Sequence, residues 1–275
     1  MSRPTGRPSS RRSGPPPRRK LEVEVTGLDD SGAAVGRIAG AAGAPGGGAK
    51  PVVIAAGAVP GDRLEVALEH EGKTALFGRA LRVLAASADR VAPRCPIVAE
   101  CGGCPWQAVA YPVQLRWKWE ALVRAVRAIP ALRDVAVGEV RALADPYGYR
   151  TKIQMPVGGR AGALEVGFFR PRSHDIVDAR GCAVQNPEGN RIVDEARAIL
   201  DRARLEPYDE ARHEGVLRYI LLRVDPTGKR AALTLVVRTD RFPGRDRLGE
   251  RLGAIRGVTG VYLNVQPARG NVVLG

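Results

Sequence analysis

The chain has 275 residues, enough for about two domains that each bury a core of their own. Hydrophobic residues make up 44% of it and no apolar run approaches the length of a membrane span, so a helical membrane protein is excluded and the cytoplasm is the expected compartment. Lys and Arg outnumber Asp and Glu by 43 to 29, and a net charge of +14 points to a polyanionic partner, nucleic acid before any other.

Half of that net charge sits in residues 1–20, at Arg3, Arg7, Arg11, Arg12, Arg18, Arg19 and Lys20, among five prolines and with no acidic residue. Such a stretch forms neither a core nor an amphipathic transit helix. It is expected to be a disordered basic tail, either a solubilising extension or an electrostatic arm. From Leu21 the chain turns β-like. Leu21–Val25 and Leu64–Leu68 alternate with period two, Val52–Ile54 is a short apolar run, and Arg79–Leu84 closes the set. Gly27, Asp29-Asp30-Ser31-Gly32 and Pro60-Gly61-Asp62 supply turn chemistry between them. The pattern predicts a small antiparallel barrel of the OB type over residues 21–88. Gly43–Lys50 is glycine-rich but lacks the Ser/Thr and the helix of a phosphate loop, and reads as a hairpin loop.

The next domain, residues 89–275, opens on Cys95-Pro-Ile-Val-Ala-Glu-Cys101-Gly-Gly-Cys104, with the fourth and last cysteine at Cys182. Four thiolates complete the shell of a 4Fe–4S cluster or of a structural zinc. Three near ligands and one distant ligand suit the cluster, whereas structural zinc usually takes two close pairs and only one is present. Unligated thiols remain the third possibility. A disulfide staple is not expected in a chain with no secretory sequence. The Gly102-Gly103 pair leaves room for backbone approach to an inorganic core.

A helix is predicted over about Pro112–Ile129, with Leu115, Trp119, Leu122, Val123 and Val126 on one face. Gln107, just past the cysteines, suits either an RNA contact or a turn. Tyr147-Gly-Tyr149-Arg150-Thr-Lys152 and Phe168-Phe169-Arg170-Pro-Arg172-Ser173-His174 interleave aromatic and basic side chains, the combination that grips looped or single-stranded RNA. An ordinary hairpin with solvated cations has the same spacing. A second helix spans about Pro187–Arg204. The hairpin Leu217–Val224 with Ala231–Val237, a helix near Arg245–Ile255 and a strand Gly260–Val265 complete an α+β domain of antiparallel type. Val272–Gly275 reads as a strand just begun, with no partner.

Taken in order, Cys-x5-Cys-Gly-Gly-Cys followed by Gln107, Tyr149-Arg150-x-Lys152, Gly167-Phe-Phe169-Arg170-Pro-x-Ser-His174 and Cys182 resembles the bacterial uracil-5 RNA methyltransferases, in particular the iron–sulfur branch acting on 23S ribosomal RNA. The barrel is similar to that family's TRAM domain, including Gly32, Val35-Gly36-Arg37 and Pro60-Gly61-Asp62, and the likeness covers residues 21–275. It implies a 4Fe–4S cluster on Cys95, Cys101, Cys104 and Cys182. It also implies an RNA partner, ribosomal ahead of transfer RNA, met by Gln107, Tyr149, Arg150, Lys152, Phe169, Arg170 and His174. In the family a further cysteine attacks uracil C6, a carboxylate removes the C5 proton, and a doubly wound domain binds S-adenosylmethionine. None of these residues has a counterpart here. The expectation is therefore a chain that lacks its C-terminal doubly wound methyltransferase domain, is inactive alone, and is truncated or complemented by a separate catalytic chain. A standalone RNA-binding module with a structural metal is the alternative. An electron-transfer protein fits less well, since no second cluster motif or flavin motif occurs.

Overall fold

The computed structural model describes residues 19–29, 31–40, 50–171 and 173–275; the basic segment 1–18, Asp30, Arg172 and residues 41–49, where the hairpin loop was expected, lie outside the described residues. The chain divides into two compact units between Arg90 and Val91.

In the first unit β1 (Arg19–Leu28), β2 (Ala34–Ile38), β3 (Val52–Ile54), β4 (Arg63–Glu71) and β5 (Leu76–Ala85) close into a barrel in the order β1-β2-β3-β5-β4. Period-two alternation drives this: Leu21, Val23, Val25, Leu64 and Val66 fill the interior, while Glu22 and Arg63 lie outside. β1 begins at Arg19, inside the segment expected to be tail, because Arg19 and Lys20 continue the ladder opposite Leu68 and Ala67. The expectation of a wholly antiparallel barrel is corrected, since β3 and β5 pair in parallel. Five strands in a ring cannot alternate direction all the way round, so closure forces one parallel pair. β2 carries too little apolar alternation to show in the sequence. Its Gly36 is required by the close passage of β1, because a Cβ there would sit 2.4 Å from the Glu24 carbonyl oxygen.

Asp62 closes one end of the barrel and is 1% exposed. Its carboxylate accepts from the Val59 N–H (2.7 Å), the Ser87 N–H (2.9 Å) and the Arg90 guanidinium at Nε (3.0 Å) and Nη2 (2.6 Å). Burial pushes this carboxyl up, but the Arg90 hydrogen bonds and the two backbone donors outweigh burial and hold it below the usual carboxylate range.

The second unit starts with α1 (Val98–Cys101), α2 (Tyr111–Arg127) and a 3-10 turn at Pro130–Leu132. It continues with β6 (Lys152–Arg160), β7 (Ala163–Phe169), β8 (Ile176–Asp178), α3 (Pro187–Arg202), β9 (Leu217–Val224), β10 (Ala231–Val237), α4 (Arg245–Gly253) and β11 (Val258–Val265). The strands form one sheet, β11-β10-β9-β6-β7-β8. It is antiparallel except for β10–β11, which run parallel with α4 as the crossover between them, a second correction to the antiparallel expectation. Asn186 caps α3, accepting from the Glu188 and Gly189 N–H groups, and Pro187 takes the first helical position. The apolar face of α3 and Leu248 and Leu252 of α4 then bury Ile153, Leu222 and Leu233 of the sheet.

Two local expectations fail. The apolar stripe of α2 is buried at Val113 and Val123 only, while Trp119 (36% exposed) and Leu122 (50%) face solvent. Val272–Gly275 is not a strand. It folds back so that Gln266 Nε2 donates to the Val272 and Leu274 carbonyls, and Asn264 and Gly275 exchange two hydrogen bonds. Beside this turn Arg218, buried at an irregularity in the β9–β10 pairing, donates to the carbonyls of Gln266 (2.7 Å), Ala268 (2.6 Å) and Gly270 (3.2 Å). Among the described residues no helix is long and apolar enough to cross a membrane.

Candidate functional site

Cys95, Cys101 and Cys104 come from one short loop, Cys182 from the turn between β8 and α3, and all four line a single cavity of about 400 Å³. Cys101 ends α1, and Gly102 caps it in the left-handed region (φ 65°), where only glycine is comfortable. A Cβ on Gly102 would also meet Pro171 at 2.4 Å, so the loop after β7 closes on the cysteine loop at this glycine. Arg170 Nη2 donates to Glu100 Oε2 at 2.8 Å across the same junction. Gln107 is buried, and its Oε1 accepts the Cys95 N–H at 3.1 Å. On the far side Arg150 pairs with the Cys182 segment: its N–H donates to the Val184 carbonyl and its carbonyl accepts from the Asn186 N–H.

All four cysteines are half-buried free thiols. Burial pushes the Cys101 thiol up. The Gly103 N–H opposes that shift, and the other three sulfurs reinforce it. Cys182 is raised by burial too, against N–H donors from Val184 and Gln185. Among the described residues, however, no three Cys, His, Asp or Glu side chains are gathered to hold a metal ion. The expectation of a metal cluster assembled within the α+β unit is corrected to that extent: the four thiols line one cavity without forming a ready-made set of metal ligands.

The seven residues expected to meet RNA separate into groups. Arg150 and Phe169 line the cysteine cavity, and Lys152 starts β6 with an exposed side chain. Tyr149 is exposed. Gln107 is buried as an internal acceptor. Arg170 is taken by Glu100, and His174 Nδ1 stands 2.9 Å from Glu210 while its ring lies against Phe169. The barrel's strand cations are paired across neighbouring strands, Lys20 with Glu65, Arg37 with Glu24, Arg63 with Glu22 and Arg79 with Glu69. Sequence reading passed over Phe168, Pro171 and Val184 as cavity walls. The Gly-Phe-Phe-Arg-Pro motif was the available signal for the first two.

No protein-family model matches the chain. It is 32% identical over 256 residues to an uncharacterised RNA methyltransferase of Halalkalibacterium halodurans, covering 93% of this chain and 54% of the relative. A second, of Clostridium tetani, is 31% identical over 252 residues, 91% of this chain and 52% of that one. The relatives are RNA methyltransferases. The chain spans about half their length. Among solved structures, a Pyrococcus abyssi tRNA (uracil-54, C5)-methyltransferase in complex with S-adenosyl-L-homocysteine superimposes with a TM-score of 0.66 at 18% identity, covering 93% of this chain and 54% of that one, and shows a shared fold. These matches overturn the expectation that a doubly wound catalytic domain is absent from the protein. The relatives continue well beyond the matched half, so the extent of these 275 residues is no measure of the architecture, and inactivity does not follow from it.

Proposed function

We propose that the chain is the RNA-binding and 4Fe–4S part of an S-adenosylmethionine-dependent RNA (uracil-C5) methyltransferase that modifies 23S ribosomal RNA in the cytoplasm, its barrel being a TRAM domain. The observation carrying the reading is that four cysteines from two distant segments line one cavity whose wall also holds Arg150 and Phe169. The matches to RNA methyltransferases over most of the chain support the RNA substrate, and the S-adenosyl-L-homocysteine in the Pyrococcus abyssi structure supports the methyl donor. The donor set fits a cluster better than a single zinc. Zinc needs its sulfurs converging on one ion, whereas a cubane spreads four thiolates over separate irons. Bound there, a cluster supplies a redox-capable inorganic centre that ties the two segments together. The protein's part is to hold the sulfurs, with N–H donors from Gly103, Val184 and Gln185 directed at Cys101 and Cys182, and to keep water out with Ile97, Phe168 and Val184. Arg150 offers a cation to RNA phosphate at the rim. No residue of this chain is assigned to the chemical step.

The test is transfer of labelled methyl from S-adenosylmethionine to unmodified ribosomal and transfer RNA by the full-length methyltransferase of which this chain is proposed to be part, with digestion to nucleosides. Label in 5-methyluridine of ribosomal RNA supports the proposal. Label in transfer RNA alone moves the substrate to that of the archaeal structural neighbour. Label on another base, or RNA binding with no transfer, contradicts it, the latter in favour of a binding module.

A further inference from the structure

We propose that the exposed end of the second face of the six-stranded sheet is a stacking platform for single-stranded RNA, with Tyr262 at one side and Lys152 and Arg223 at the other; this rests on the RNA reading above. One face of the sheet is covered by α3 and α4 through Ile153, Leu222, Leu233 and Val261. Residues alternate across a sheet, so their neighbours on the same strands lie on the other face. Register sets them in two adjoining rows, Lys152–Arg223–Ala232–Gly260 and Gln154–Leu221–Thr234–Tyr262.

The second row ends in an aromatic ring that is 59% exposed. The ring lies along β11 over Gly260, where a Cβ would stand 2.9 Å from Tyr262 Cε2 and 3.0 Å from its hydroxyl oxygen. Gly260 thus leaves the space beside the strand that the Tyr262 ring occupies, and the ring stays largely exposed. At the other end of the first row Lys152 and Arg223 are exposed neighbours, and neither makes an ion pair among the described residues. Arg223 also borders a shallow groove of about 370 Å³ shared with Arg230 and Thr259.

Charge and shape select the occupant. Adjacent unpaired cations on a chain of net charge +14 seek a polyanion. An exposed aromatic ring takes an unstacked base, which a duplex does not offer. Gln154 and Thr234, polar and half-buried between these ends, disfavour an apolar protein partner.

The 275-residue chain is titrated into a fluorescein-labelled single-stranded oligoribonucleotide, with unlabelled RNA hairpin duplex and an acidic peptide as competitors. Tyr262→Ala is expected to weaken binding about 5- to 150-fold, the range of one base–aromatic stack, and Tyr262→Phe to restore it. Gly260→Ala, which lifts the ring, is expected to weaken binding in the same direction. Lys152→Gln with Arg223→Gln should lower the slope of log affinity against log salt by about 1.4. If the wild-type chain binds no RNA, the RNA reading falls as well. If it binds RNA with Tyr262→Ala and the double variant unchanged, or if duplex or peptide competes as well as the single strand, the platform alone is refuted.

Discussion

Replacing Arg90 by Met tests the closure of the barrel. Asp62 is buried with four donors around it, and Arg90 supplies two of them together with the compensating charge. Without the guanidinium a buried carboxylate keeps only the Val59 and Ser87 N–H groups. Breaking such a pair from one side costs about 3–5 kcal/mol, and a unit of this size has about 4–10 kcal/mol in all. The variant barrel should therefore stand close to unfolding. Amide hydrogen exchange read by mass spectrometry separates the units: protection in peptides of β1 and β4 should fall by about 100-fold or more, while those of β9 and β10 keep theirs. Adding Asp62→Asn removes the stranded charge, so the double variant should lose less than the two single losses added together. The pH dependence has a definite sign. Asp62 titrates below its unfolded value, so its contribution is fully present above the ordinary carboxylate range and disappears as pH falls through the lowered folded value. The gap between wild type and Arg90→Met should close over that acidic window. A fall in protection under about fivefold at neutral pH, or an equal loss in both units, would refute the argument.

Three further outcomes are expected. Purified without air, the protein should carry about four irons with acid-labile sulfide, and Cys182→Ser should lose them as fully as Cys101→Ser; a single zinc with no sulfide contradicts the cluster. Gly167→Ala places a Cβ 1.8 Å from the Val177 carbonyl oxygen across β7–β8, and should cost more than about 3 kcal/mol, seen as a drop in thermal midpoint; an unchanged midpoint would show the strands part freely. Deleting residues 1–18, which hold Arg3, Arg7, Arg11, Arg12 and Arg18, should weaken RNA binding and its salt dependence without abolishing either, and complete loss would place the RNA site in that segment.

What the sequence revealed follows the range of each signal. Period-two runs at Leu21–Val25 and Leu64–Leu68 announced their strands, and Pro187 ahead of an apolar stripe announced α3, because those causes are local. The parallel pairs β3–β5 and β10–β11 were invisible, since they follow from closure and crossover and not from any residue's preference. The stripe on α2 was legible but its exposure was not, because burial depends on what lies opposite. At the site, the cysteine spacing pointed to one locus, and the four thiols line one cavity. Nothing near Arg170 in the chain revealed that Glu100, 70 residues earlier, takes its charge. Tyr262 and Arg223 escaped notice for the same reason: only the register of four strands lays them on one face.

The Arg218 anchor has a kinetic consequence. Its three carbonyl partners lie 48, 50 and 52 residues ahead in the chain. None of these bonds can form until β10, α4 and β11 have been laid down and the turn after β11 has swung back to β9. Loop closure over such a separation must be met before any contact rewards it. The turn after β11 is thus expected to be fixed only after these elements have assembled, by a residue of the sheet's interior.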